Sequence, residues 1–207
     1  MNCLPHPGVS VVVLAKHAGH AKSRLRLPER EKRIVVRNLA DATIRTVLAT
    51  RSVGAVWVVT SDPLIAAGAL RVGANLVAEG YPRGMNRAAA MGRRQALSVR
   101  PDESVAVMVA DLPQLRGADV DSVLSEHLDR ETPLYVADHH DSGTTMLVHG
   151  PYELPGIAFG HRSAAMHERL GYERSDRAER GMRVDLDTPE DLEAVGPLVS
   201  VAAGGDE

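Results

Sequence analysis

Cysteine occurs once, at Cys3. An internal disulfide and a cysteine zinc site are therefore excluded. Aromatic residues make up 3% of the chain: one Trp (Trp57), one Phe (Phe159) and four Tyr. That is too few for a platform on which single-stranded nucleic acid stacks. Basic charge is not in excess either, since 24 Lys and Arg face 27 Asp and Glu for a net charge of −3. A nucleic-acid backbone is thus a poor match as partner. The first apolar stretch, 9–15, is too short for a membrane span and lacks the basic flank of a signal peptide. The expectation is a soluble, cytoplasmic protein. Its 207 residues suit a single domain over 1–207, with loose ends at about 1–8 and 202–207. The core must be aliphatic, built from Val, Leu, Ile and Ala.

What is present is alternation of two patterns. Continuous β-branched runs at 9–14, 53–60 and 104–109 predict strands covered on both faces. Between and after them, helical stripes are expected at 29–50, 63–72, 85–98 and 118–128, with a short strand at 74–77. This order predicts an α/β fold with a mostly parallel central sheet. The pattern then loosens. Short strands are expected at 134–137, 145–148 and 182–184, and helices at 162–170 and 189–195. In open α/β sheets ligands sit beyond the carboxyl ends of the strands, so chemistry is sought just after Leu14, Thr60 and Val109.

After the first strand, Lys16, Lys22 and Arg24 place three cations within nine positions. Such a loop can hold a polyphosphate by charge and by backbone N–H groups, or it can be a solvated basic turn. It is not a Walker A loop: Lys16 and Ala21 stand where that motif requires glycine. After the third long strand, Asp111 is placed to ligate a hard cation or to end a turn. Near the C-terminus, Asp185 and Asp187 would project from one face of an extended segment, about 7 Å apart, and could share Mg²⁺. Asp187 or Thr188 could also cap a helix opening at Pro189; Asp185 has no capping role. Gly84 and Asn86 open the Ala-rich helix, where Asn86 could cap it or touch a base or ribose. Ser142-Gly143-Thr144-Thr145 and Phe159-Gly160-His161-Arg162-Ser163 offer small hydroxyl and glycine groups suited to an anion. The nine histidines show no zinc spacing. His139 and His140 would point to opposite faces of a strand, and His161 and His167, on one helix, would not share a face. Surface or hydrogen-bonded histidine is the better reading. A serine hydrolase is disfavoured because no Gly-x-Ser-x-Gly elbow exists.

Taken in order, these segments resemble the phosphoenolpyruvate / 2-phospho-L-lactate guanylyltransferases of coenzyme F420 biosynthesis. The resemblance runs from about Ser10 to about Pro197. It rests on Lys16 with Ala21-Lys22-Ser23-Arg24-Leu25, Gly84-x-Asn86, Ala110-Asp111-Leu112-Pro113 and Gly143-Thr144-Thr145. Phe159-Gly160-x-x-Ser163-x-x-x-His167 and Asp185-x-Asp187-Thr188-Pro189-x-Asp191-Leu192 complete it. One departure is the segment His17-Ala18-Gly19-His20, where the family more often has an apolar residue after the first Lys.

The resemblance implies a Rossmann-like nucleotidyltransferase fold of the nucleotide-diphospho-sugar transferase type. It implies Mg²⁺, two ions, on Asp111, Asp185 and Asp187. It implies GTP at Lys16, Lys22, Arg24, Gly84 and Asn86, and a phosphorylated three-carbon acid at Thr144, Thr145, Gly160 and Ser163. The implied reaction joins GTP to phosphoenolpyruvate, or to 2-phospho-L-lactate or 3-phosphoglycerate, and releases pyrophosphate. Asp111, Asp185, Asp187, Lys16 and Lys22 carry the catalysis in that reading. The Ala-, Arg- and Val-rich composition of a high-GC bacterial protein favours phosphoenolpyruvate. A labile product points to the downstream transferase of F420 assembly as protein partner; nucleic acid and membrane are not expected partners. Two alternatives stand beside this reading. One is another nucleotidyltransferase of the same fold, acting on a molybdopterin or a sugar phosphate. The other is a nucleotide-binding regulator without catalysis.

Overall fold

The computed structural model describes residues 8–19, 25, 27–186 and 191. Three long strands follow from the three β-branched runs: β1 (Val9–Leu14), β2 (Val53–Thr60) and β4 (Val105–Val109). β3 (Asn75–Ala78), β5 (Leu134–Ala137), β6 (Thr144–His149) and β7 (Glu173–Arg174) complete a seven-stranded sheet of order β3-β2-β1-β4-β6-β5-β7. The pairs β3–β2, β2–β1, β1–β4 and β5–β7 are parallel; β4–β6 and β6–β5 are antiparallel. The helices are α1 (Glu29–Leu48), α2 (Pro63–Arg71), α3 (Met85–Val99), α4 (Gly117–Arg130), α5 (Ser163–Arg169) and α6 (Arg180–Arg183). Among the described residues no helix is long and apolar enough to cross a membrane.

Alternation along β1 builds two aliphatic layers. Val11 and Val13 join Ile44 and Val47 of α1, Ile65 of α2 and Leu124 of α4 on one face. Val12 and Leu14 join Trp57, Val59, the alanines of α3 and Ala164 of α5 on the other. Ser10, the one polar residue of β1, donates its hydroxyl to Glu103 at 2.8 Å, so the strand buries no unpaired hydroxyl. The Ala-rich face of α3 lets that helix lie close to the sheet. A Cβ on Gly92 would stand 2.3 Å from a Val12 methyl and 2.8 Å from a Val59 methyl.

The order β3-β2-β1-β4 reverses between β1 and β4: the chain moves outward from β1 to β3, then returns to the other side of β1. That reversal opens a crevice at the strands' carboxyl ends, between the residues following Leu14 and those following Val109.

The second half departs from expectation in four places. Residues 182–184, expected as a strand, close the helical turn α6 instead. Met182-Arg183-Val184 is too short a segment to show a period of either kind. Gly181 packs so tightly on the turn before α4 that a Cβ there would lie 2.5 Å from the Gln114 carbonyl. The strand beside β5 is β7, two exposed polar residues without any alternation. His139 and His140 lie in a loop rather than a strand, with ring centroids 3.7 Å apart and the rings tilted by 42°. His161 precedes α5, while His167 lies inside it and is fully buried. The helix expected at 189–195 falls outside the described residues except for Asp191, as do the loose ends except for Gly8.

Candidate active site at the sheet's reversal point

Lys16 follows β1 directly, after Ala15 has extended the pairing by donating to the Val59 carbonyl at 3.0 Å. The loop beyond it is held from below by Asp62, whose carboxylate is completely buried. One Asp62 oxygen caps α2 by accepting from the Leu64 and Ile65 N–H groups at 2.9 and 3.3 Å. The other accepts from the Ala18 N–H at 3.2 Å and from Arg37 at 3.3 Å. Burial pushes this carboxyl's pKa up, but the Ala18, Ile65, Arg37 and Leu64 donors together outweigh burial and bring it below the ordinary carboxylate value. Asp62 was not singled out from the sequence. Its signal was there in Ser61-Asp62-Pro63, a helix cap followed by proline at the first helical position. Nothing local in that signal shows that the same carboxylate also holds a loop 44 residues away.

Besides a small cavity of about 60 Å³ lined by Lys16, Val36 and Asp111, two larger ones meet at Lys16. The first, about 170 Å³, runs between β1, β2 and the start of α3, with Val59, His17, Glu79 and Gly84 in its wall. Gly84 caps α3 with φ 94°, a backbone conformation only glycine adopts at low cost. The second, about 250 Å³, lies on the β4 side and takes Asp111, Asp138, Asp185, Thr144, Thr145, Gly160 and Ser163 into its wall. Lys16 and Met85 line both. Seven of the residues marked from the sequence therefore surround one cavity: Lys16, Asp111, Thr144, Thr145, Gly160, Ser163 and Asp185. Gly84 lines the adjoining one. Lys22, Arg24 and Asp187 lie outside the described residues.

The carboxylates come from different elements. Asp111 follows β4, and its backbone carbonyl accepts from the Leu186 N–H at 3.1 Å, which docks the Asp185 segment beside it. That segment is not part of the sheet. His139 Nδ1 lies 3.8 Å from an Asp185 carboxylate oxygen. Asp138 gathers its own loop, accepting from the N–H groups of His140, Ser142 and Gly143 at 3.1, 2.9 and 2.8 Å. Arg183, also unmarked in the sequence, donates to the Ala137 and Asp138 carbonyls at 3.2 and 3.0 Å and so ties α6 to that loop. Among the described residues no group of three or more His, Cys, Asp and Glu side chains is arranged to hold a metal ion. The cavity nevertheless sets three carboxylates against one described cation, Lys16.

The opposite wall differs from expectation in detail. Asn86 is not the cap of α3, a place taken by Gly84. Its amide grips a single residue across the site: Nδ2 donates to the Phe159 carbonyl at 3.1 Å, and Oδ1 accepts from the Phe159 N–H at 2.7 Å. Ser163 does not cap α5 either; Arg162 does, in a left-handed conformation. Two N–H groups at the start of α5, expected to face an anion, are already spent. Ser163 donates to the Gly160 carbonyl and Ala164 to the Ser142 carbonyl, each at 3.2 Å. Gly160 has φ 132°, which a side chain would strain. The Thr145 hydroxyl reaches the Val136 carbonyl at 3.4 Å, and the Thr144 hydroxyl meets His167 Nδ1 at 2.9 Å.

This arrangement can be set beside known proteins. The family model described as "Guanylyl transferase CofC like" matches residues 9–195. A phosphoenolpyruvate guanylyltransferase of Sphaerobacter thermophilus is 33% identical over 203 residues, covering 95% of this chain and 96% of that one. A phosphoenolpyruvate guanylyltransferase of Geodermatophilus obscurus is 35% identical over 209 residues, covering 95% and 94%. A solved structure from Desulfovibrio desulfuricans G20, assigned as a nucleotide-diphospho-sugar transferase, superimposes with a TM-score of 0.69 at 13% identity, covering 96% of this chain and 90% of that one. At that identity the likeness concerns the fold. The family match spans every motif segment that meets at Lys16, and the two relatives align over nearly their whole length. The chain belongs to the guanylyl transferase CofC-like family.

Proposed function

We propose that this protein joins GTP to phosphoenolpyruvate and releases pyrophosphate, as a step in coenzyme F420 biosynthesis. The observation that carries the reading is the meeting of two unlike cavities at Lys16. One is bounded by apolar side chains and a glycine-opened helix and suits a nucleoside. The other presents carboxylates, hydroxyls and a glycine and suits a small phospho-acid with its counter-ions.

In the reaction a phosphate oxygen of the acid attacks the α-phosphorus of GTP. A P–O bond forms there as the bond to the β-phosphate oxygen breaks, and pyrophosphate leaves with that electron pair. The attacking phosphate is mostly dianionic near neutral pH, with a second pKa of about 6. No general base is required. Lys16 stands where acid, α-phosphate and leaving group come together and offsets their charge. Thr144, Thr145, Ser163 and the Gly160 backbone orient the acid. Asp111 and Asp185 are hard oxygen donors on one cavity wall and would hold Mg²⁺, with Asp187 as the third donor the sequence offers. Mg²⁺ bound there supplies neutralisation of charge between the two phosphate groups. A labile phosphoanhydride product suits direct hand-over to the transferase that consumes it.

The test is an assay of pyrophosphate release with purified protein, Mg²⁺ and GTP. Phosphoenolpyruvate, 2-phospho-L-lactate and 3-phosphoglycerate are offered in turn, then CTP in place of GTP. Release is expected with GTP and phosphoenolpyruvate. Faster release with another acid reassigns the substrate; release with no acid, or with CTP alone, removes the reading. In the same assay Lys16→Ala is expected to raise the KM for GTP about tenfold or more, and more than the KM for the acid. Unchanged kinetics for that variant would leave Lys16 as a solvated turn residue.

A further inference from the structure

His167 is far more deeply engaged than a helix-surface histidine. It is fully buried on α5, with Phe159 and Tyr172 packed edge-on at ring-centroid distances of 5.5 Å each. Its Nε2 takes a hydrogen bond from the Ala158 N–H at 3.0 Å. A ring nitrogen that accepts carries no hydrogen, and a neutral imidazole has only one. That hydrogen must sit on Nδ1, which lies 2.9 Å from the Thr144 hydroxyl oxygen, with the Ser163 carbonyl one turn back as a second acceptor for the ring N–H. The tautomer thus follows from the partners. It also fixes the direction of the next bond: the Thr144 oxygen accepts from His167, so its own hydrogen is turned away from the ring. Burial holds the His167 pKa down, to about 4, and keeps the ring neutral near pH 7.

The strand is shaped to bring these groups together. Along β5 and β6, Val136 pairs with Met146 and Ala137 with Thr144, so Thr145 is an extra residue and forms a bulge. Simple alternation would put Thr144 on the face of Met146, against the α1 and α4 layer. The bulge moves it to the opposite face, where His167 and Phe159 lie.

We propose that His167 is a positioning residue: its Nδ1–H, locked in place by the Ala158 backbone, holds the Thr144 hydroxyl as a hydrogen-bond donor aimed into the acid cavity, where it meets the anionic end of the phospho-acid. The same ring fixes Ala158, next to the Phe159 backbone that Asn86 holds from the other side. The segment leading to Gly160 is therefore gripped from two helices. The proposal rests on the acid-binding reading of this cavity given above.

The test combines two measurements on the full chain. Nitrogen-15 NMR of labelled histidine reads which ring nitrogen carries the proton, with the His167 signals identified by their loss in His167→Gln. Protonated Nδ1 and unprotonated Nε2 are expected, and the reverse tautomer overturns the proposal. Steady-state kinetics then use Thr144→Val, His167→Gln and the double variant, below their melting temperatures, with phosphoenolpyruvate and GTP. Each single change is expected to raise the KM for phosphoenolpyruvate about tenfold with the KM for GTP little changed. The double variant should be no worse than the poorer single one, because both act through one hydroxyl. Thr144→Ser, which keeps the hydroxyl, should stay within threefold of the unaltered protein. A double variant impaired about a hundredfold, or kcat and both KM values moving together with stability, overturns it. If the unaltered protein releases pyrophosphate with none of the acids, the functional reading fails on its own account. The tautomer then decides for or against the His167 geometry.

Discussion

Asp111→Asn is expected to lower kcat about a thousandfold while leaving the melting temperature close to that of the unaltered protein. The substitution keeps the size of the side chain and leaves the backbone carbonyl free to receive the Leu186 N–H as before. What it removes is a carboxylate on the wall that Asp185 and Asp138 share. Losing one oxygen ligand of a metal clamp commonly costs several kcal/mol of transition-state stabilisation, and about 4 kcal/mol is a factor of a thousand. The same direction is expected for Asp185→Asn and Asp187→Asn. A second reading comes from titrating Mg²⁺: half-maximal activity should need a higher concentration in each variant. An Asp111→Asn protein with kcat within threefold of normal and an unaltered Mg²⁺ requirement would remove the carboxylate site from the mechanism.

Acidification is expected to destabilise the fold well before its carboxylates protonate. His149 and His167 are both buried, and burial lowers each pKa to about 4, assisted at His149 by the nearby Arg93 charge. In the unfolded chain histidine titrates near about 6.5. Between those values the unfolded state binds protons that the folded state refuses, so stability falls as pH drops from about 6.5 toward 4. At pH 4.5 each histidine should have withdrawn about 2 kcal/mol, out of a total near 5–15 kcal/mol for a typical domain. Below that range Asp62 and Glu126 add to the loss. Burial raises both carboxyls, but their hydrogen-bond donors prevail and leave them below the ordinary value. Their contribution is complete above about pH 4 and disappears as pH falls through their folded pKa values. Urea midpoints at pH 7 and pH 4.5 measure the effect. His149→Asn, whose amide can still donate to the Gly150 carbonyl that His149 Nδ1 meets at 2.7 Å, should flatten the pH dependence by about 2 kcal/mol. Equal midpoints at both pH values in the unaltered protein would show that the histidines are not held neutral by burial.

The parts of this molecule that could be read from its sequence are those with local causes. The β-branched runs at 9–14, 53–60 and 104–109 could be little else than buried strands, and all three are. Once they are strands, strand-end topology places Lys16 and Asp111 at the reversal between β1 and β4. The remainder depends on partners far along the chain. Asn86 can be read as a helix cap or as a group for a base or ribose until Phe159, 73 residues on, is in place. His167 reads equally as a surface or a hydrogen-bonded histidine until Thr144 and Ala158 close around it. The strand β7 has no pattern of its own and exists because β5 offers an edge. The bulge at Thr145 breaks the period-two rule on which any assignment of faces depends.

That bulge also bears on how this enzyme type can change its substrate over evolutionary time. Insertions and deletions inside strands are ordinarily ruinous, because every side chain beyond them flips to the other face. Here the extra residue already stands next to the cavity, and Met146 keeps its register with Met108 of β4. Loss of residue 145 alone would leave Thr144 opposite Ala137, on the face it now occupies, and the rest of β6 paired as it is. One codon therefore separates a cavity wall with two threonines from a wall with Thr144 alone on the same scaffold, a short step for selection to take.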